Sequence, residues 1–123
     1  MNGQRGSASV VVAAIVAMAL LLSTAAADLA RVFVVAARAQ AAADAAALAA
    51  AQELALASDI EPVDAATEYA ARNGAELLTC ICDPGTFSAV VRVRVPVGAL
   101  LLFGSGRSVG AEAAALVDTE GAT

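Results

Sequence analysis

The sequence predicts an α+β chain. A long N-terminal transmembrane helix continues into an extracytoplasmic, alanine-rich helix, and a small helix with a short antiparallel sheet follows. Three observations predict this. Residues 6–27 carry no charge over 22 positions. The helical pattern then runs on without Gly or Pro until Pro62. Beyond it, Asp83-Pro84-Gly85-Thr86 separates two runs suited to strands.

The uncharged run is GSASVVVAAIVAMALLLSTAAA. At about 1.5 Å per residue it reaches about 33 Å, enough for a hydrocarbon core of about 30 Å. Two readings compete. Arg5 could be the positive region of a removable signal, with Ala25-Ala26-Ala27 as its cleavage site before Asp28. An uncleaved anchor explains better why the pattern continues in register past Ala27, and it is the preferred reading. The expected division is a cytoplasmic tail at 1–6, a transmembrane helix at 7–27, its extracytoplasmic continuation at 28–58 and a small head at 59–123. Arg5 on one side nearly balances Arg31 and Arg38 on the other. The shortness of the segment before the span favours a cytoplasmic N-terminus in a single-pass plasma (inner) membrane protein.

Alanine supplies 35 of the 123 residues, hydrophobic types 60 % and aromatics 3 %. Such a composition suits long helices and close helix packing more than a thick interior. In the projecting half, Ala37, Ala41, Ala45 and Ala49 form one row at spacing four. Ala39, Ala43, Ala47, Ala51 and Ala55 form another. Small side chains at that spacing allow a second helix to approach closely. Neighbouring subunits are therefore expected to cover the rod, although alanine is also simply the best helix former. Asp28 and Arg31, three apart, are placed to pair on the surface.

In the head, Pro62 fits the first position of a helix over residues 62–72, and Asn73-Gly74 fits its C-cap. Ala66, Tyr69 and Ala70 share the face expected to pack inward. Residues 75–82 and 87–97 read as strands. In the second, Phe87, Ala89, Val91, Val93 and Val95 alternate with a face bearing Arg92 and Arg94. Pro96 suggests an edge or a strand end. The apolar GALLLF of residues 98–103 is expected to close the core. Residues 107–117 fit a third strand or a short helix.

The chain has no His, Lys or Trp, and its net charge is −5. Histidine metal sites, P-loop chemistry and most general-base catalysis are excluded on this inventory. An acidic chain without a basic cluster is a poor partner for nucleic acid. No cofactor and no catalytic set is expected. Cys80 and Cys82 are the only cysteines. An extended C-x-C separates their Cα atoms by about 7 Å, so a bond between them needs a bent backbone. Buried thiols, a strained disulfide, a link to another chain and a redox or metal site all remain open, although two thiols do not complete a zinc site. Arg92 and Arg94 fit a solvated strand face better than a docking site.

RGSASVVVA at residues 5–13 and DLARVFVVAARAQAAADAAALAAAQELA at 28–55 resemble the TadE/TadG-like proteins of the Flp (tight-adherence) pilus system. The likeness is to the small actinobacterial TadE-like type. AARNGAELLTC and VVRVRVPV extend it to about residue 97. The resemblance implies a membrane-anchored, pseudopilin-like structural component, with a pilin-like fold and no catalysis of its own. Its expected partners are membrane lipid, other pilin-like or Tad assembly subunits, and further copies of itself. A secreted binding or effector module, released after Ala27, is the alternative. Prepilins of this type carry Glu five residues after the cleavage-site Gly. Here Val11 stands five after Gly6, which argues against processing between Gly6 and Ser7. Relatives often place a cysteine near the start of the second helix, able to pair with the position of Cys80. Residues 62–64 have none.

Overall fold

A computed structural model describes residues 2–56 and 58–118, with the side chains of residues 2 and 3 left aside. Helix α1 (Asn2–Leu56) and helix α2 (Pro62–Arg72) precede strands β1 (Glu76–Asp83), β2 (Ser88–Pro96) and β3 (Ser108–Leu116). The sheet is antiparallel in the order β1-β2-β3. The expected α+β architecture is present.

Helix α1 is unbroken because nothing in it breaks a helix: it has no proline, and its two glycines, Gly3 and Gly6, each cost only about 1 kcal/mol. It starts earlier than expected, at Asn2, so residues 2–6 belong to the helix. Its last described residue is Leu56, and Ala57 lies outside the described residues. Residues 7–23 are exposed throughout, whereas one face of the second half is covered.

That cover is the chain's own head. Ala39, Ala42, Ala43, Ala46, Ala47, Ala50 and Ala51 are buried with Ala66 and Ala70 of α2 and with Ala89, Val91, Val93 and Val95 of β2. The row expected to meet neighbouring subunits through Ala39, Ala43, Ala47 and Ala51 is therefore internal. Alanine lets a sheet and a second helix settle close to α1, so a thin interior of methyl groups and valines closes without aromatic residues.

Pro62 opens α2 as expected, with Asp64 in its first turn at the positive helix end. At the other end the Gly74 N–H donates to the Ala71 carbonyl, and the Ala75 N–H to that of Ala70. Gly74 takes φ +74°, the left-handed conformation this cap needs. Tyr69 corrects its expectation. It stays exposed beside the Arg72 guanidinium, 5.1 Å from ring centroid to Cζ, while Ala65 takes an inward place.

Strand β2 alternates as its sequence demands: Ala89, Val91, Val93 and Val95 point inward. Phe87 is not part of it, standing in the preceding turn at φ +51°. Pro96 ends the strand, but β2 is central rather than an edge. β3 pairs along its whole length, from Ser88 against Leu116 to Pro96 against Ser108. Residues 108–116 are thus strand despite their alanines, because pairing with β2 and burial of Ala113 outweigh helix propensity.

The path of the chain fixes which end of the head faces the N-terminal half of α1. Helix α1 runs away from it, and α2 returns until a Cβ at Gly74 would lie 3.9 Å from Arg38 Cδ. β1 runs outward again, β2 returns, and the loop of residues 97–107 arrives beside Asp28 and Arg31.

Candidate functional site

The candidate site is the place where α1 leaves its uncharged stretch. Asp28 is the first charge after residues 6–27, yet its side chain is only 3 % exposed. Its Oδ1 accepts the Leu101 N–H at 2.8 Å and its Oδ2 the Leu102 N–H at 2.7 Å. One turn further along, Arg31 Nη1 donates to the Ala99 carbonyl at 2.5 Å. Asp28 and Arg31 were expected to pair with each other; instead both hold the loop. Burial pushes the Asp28 carboxyl up, but the N–H groups of Leu102, Leu101 and Phe103 outweigh it. With the Arg31 charge they hold its pKa below the ordinary carboxylate value.

The loop is closed on itself. The Leu100 N–H donates to the Gly104 carbonyl at 2.7 Å, and the Val97 N–H to the Arg107 carbonyl at 3.0 Å. Gly104 has φ +75°, a conformation that costs any other residue about 1–2 kcal/mol. Val97 and Leu100 face the core. Leu101, Leu102 and Phe103 do not, at 71 %, 46 % and 57 % exposed. The expectation that GALLLF closes the core is therefore right for Leu100 alone. The backbone bonds to Asp28 fix the next two residues with their side chains outward.

The proposed processing positions Gly6, Ser7, Ala27 and Asp28 all lie inside α1, without a break at either junction. In the proposed packing row, Ala37 and Ala41 are exposed, Ala45 is half-buried and Ala49 is buried. Leu29, Phe33, Val34 and Leu48 are exposed beyond the uncharged stretch. Leu29, Phe33, Ala37 and Ala41 follow one another at spacing four along an uncovered face. The row was legible in the sequence; the large residues that extend it were not singled out.

Cys80 and Cys82 are joined to each other, with Cα atoms 5.7 Å apart. Both are half-buried against the core, opposite Val91 and Ala89. A shift in register between Leu77 and Thr79 bends β1 just before them, and such a bend accompanies the short separation. On the outer face, Arg92 pairs with Glu112 and Arg94 with Glu76, each at 2.5 Å. Those arginines are neutralised across the sheet, as a solvated face requires. At the far end, the Gly85 N–H and the Thr86 hydroxyl donate to Asp83 and lower its pKa. Among the described residues, no group of three or more metal-ligating side chains comes together.

These features define a class: one long apolar helix, long enough to cross a membrane, carrying a small α+β head clasped to its second half. Residues 6–53 match the family described as "Putative Flp pilus-assembly TadE/G-like". The resemblance seen in the sequence is thus found over the helix, and the match ends before the head. No curated protein and no solved structure gives a match.

Proposed function

We propose that this chain is a membrane-anchored, minor pilin- or pseudopilin-like structural component of a Flp/Tad-type pilus or secretion apparatus. Residues 7–27 lie in the plasma (inner) membrane, residues 1–6 in the cytoplasm and the head outside. The observation that carries this reading is the division of α1 into two halves. The first is apolar and uncovered, as a helix in lipid is, and the second is the spine of a folded head. Ser23 and Thr24 fit lipid too, because their hydroxyls bond back to the Ala19 and Leu21 carbonyls within the helix. The Cys80–Cys82 bond supports an oxidising compartment for the head.

Lateral contacts fall on the uncovered face of α1, where Leu29, Phe33, Ala37 and Ala41 meet other pilin-like subunits or a second copy. Ala37→Leu combined with Ala41→Leu tests this by crosslinking in native membranes. Crosslinked species should diminish while the head stays folded. Undiminished crosslinking removes the packing role. Secretion after Ala27 is the weaker reading, since cleavage there would cut α1 immediately before Asp28, the residue that holds the loop.

A further inference from the structure

The geometry points to a second membrane contact: the loop of residues 97–107 inserts Leu101, Leu102 and Phe103 into the bilayer surface beside the exit of α1. This rests on the reading of residues 7–27 as a membrane span. The span itself, however, does not require any part of the head to touch lipid.

Four observations converge on it. The three side chains are consecutive, large, apolar and turned outward, and exposing them to water is unfavourable. Their height is fixed, because the Asp28 carboxylate binds the Leu101 and Leu102 N–H groups directly and Asp28 is the first residue past the uncharged run. Thr24 and Ala25, about one turn back toward the N-terminus, are half-buried, whereas residues 7–23 are exposed, so cover on α1 ends at the last turn of the span. Finally, arginine flanks the apolar tip. The Arg107 Nε donates to the Phe103 carbonyl at 3.3 Å, and its Cζ stands 5.8 Å from the Phe103 ring centroid. Exposed apolar side chains with the guanidinium groups of Arg31 and Arg107 beside their loop suit the boundary between acyl chains and phosphate headgroups.

The buried position of Asp28 acquires a purpose in this arrangement. A bare carboxylate at the edge of the hydrocarbon would be poorly solvated. The loop supplies the N–H groups that replace its water, and the carboxylate in turn holds the loop at the bilayer. Two contacts on one rigid head, the span and the loop, restrict how α1 can tilt and rotate in the membrane.

The chain contains no tryptophan, so a single introduced one reports its own surroundings. Full-length protein is reconstituted in vesicles of phosphatidylcholine and phosphatidylglycerol, with bromine on the acyl chains either near the headgroup or near the chain end. Leu101→Trp, and separately Phe103→Trp, should emit at blue-shifted wavelengths and be quenched more by the shallow bromines. Ile15→Trp should be quenched by the deep ones. Ile81→Trp, on the exposed side of β1 toward the far end of the head, should show neither effect. Adding Asp28→Ala to Leu101→Trp should reduce the shallow quenching. If Ile15→Trp is quenched while Leu101→Trp and Phe103→Trp emit as in water, the loop contact is refuted and the span stands. Burial of those two probes without bromine quenching would mean that protein covers the loop, and it equally refutes the proposal. If Ile15→Trp itself escapes quenching, the span reading fails and the loop contact falls with it.

Discussion

Replacing Ala43 by leucine should destabilise the head, whereas the same change at Ala41 should not. The two positions lie two residues apart on α1, about 200° around the helix, with the same residue type and the same helix propensity before and after. Ala43 has no exposed surface and sits among the alanines and valines of the head, while Ala41 is open. Leucine adds three carbons, and at Ala43 they must displace α2 or the sheet. Forcing extra methylenes into a packed interior costs about 1–3 kcal/mol. At a contact made of methyl groups, with no long side chain to move aside, the upper half of that range applies. For a unit of this size each kcal/mol lowers the melting temperature by about 4–8 °C. Ala43→Leu should therefore lower it by roughly 8–24 °C. Thermal unfolding of full-length protein in detergent micelles, read by proteolysis of the head, measures the change. An unchanged melting temperature for Ala43→Leu, or an equal loss for Ala41→Leu, would refute the assignment of the two alanine rows.

Other consequences can be measured on the same protein. Val91→Ala removes two methyl groups from a fully buried side chain on the central strand and should cost about 2–3 kcal/mol in a denaturant titration. Reduction of the Cys80–Cys82 bond opens only a very short loop, so the head should stay folded and lose about 1.5 kcal/mol; complete unfolding would assign the bond a larger role. Because the Asp28 pKa is depressed in the fold, its contribution is present above its ordinary value of 3.8 and is lost as pH falls below it. The Leu101 and Leu102 amide resonances should shift in that acid window in the wild type and remain still in Asp28→Asn. Gly104→Ala meets no neighbouring atom but must keep φ +75°, so it should destabilise the loop by about 1 kcal/mol in a denaturant titration of the full-length protein.

Local signals made much of this fold legible. The uncharged run, the absence of breakers before Pro62, the Pro62 and Gly74 ends of α2 and the alternation of β2 each depend on residues close in sequence. What could not be read depends on residues far apart. The spacing of Asp28 and Arg31 suggests a surface pair, but backbone groups more than 65 positions away compete for both side chains and win. Two alanine rows are visible along α1, and only the arrival of the head decides which becomes interior. GALLLF is apolar by composition, yet its direction is set by bonds to a helix that ended 42 residues earlier, counting from Leu56 to Gly98. The alanines of β3 favour helix until β2 offers a full register of partners. The cysteines are an intermediate case: their spacing raises the possibility of a bond, and the irregular register of β1 brings them to 5.7 Å.

The most direct measurement is the amino-terminal sequence of the chain, taken from both fractions after membranes are washed in alkaline carbonate. The chain should remain in the membrane pellet and begin at Met1, or at Ser7 if the leader is processed. A soluble chain beginning at Asp28 would contradict the anchored rod and leave the head as a secreted module.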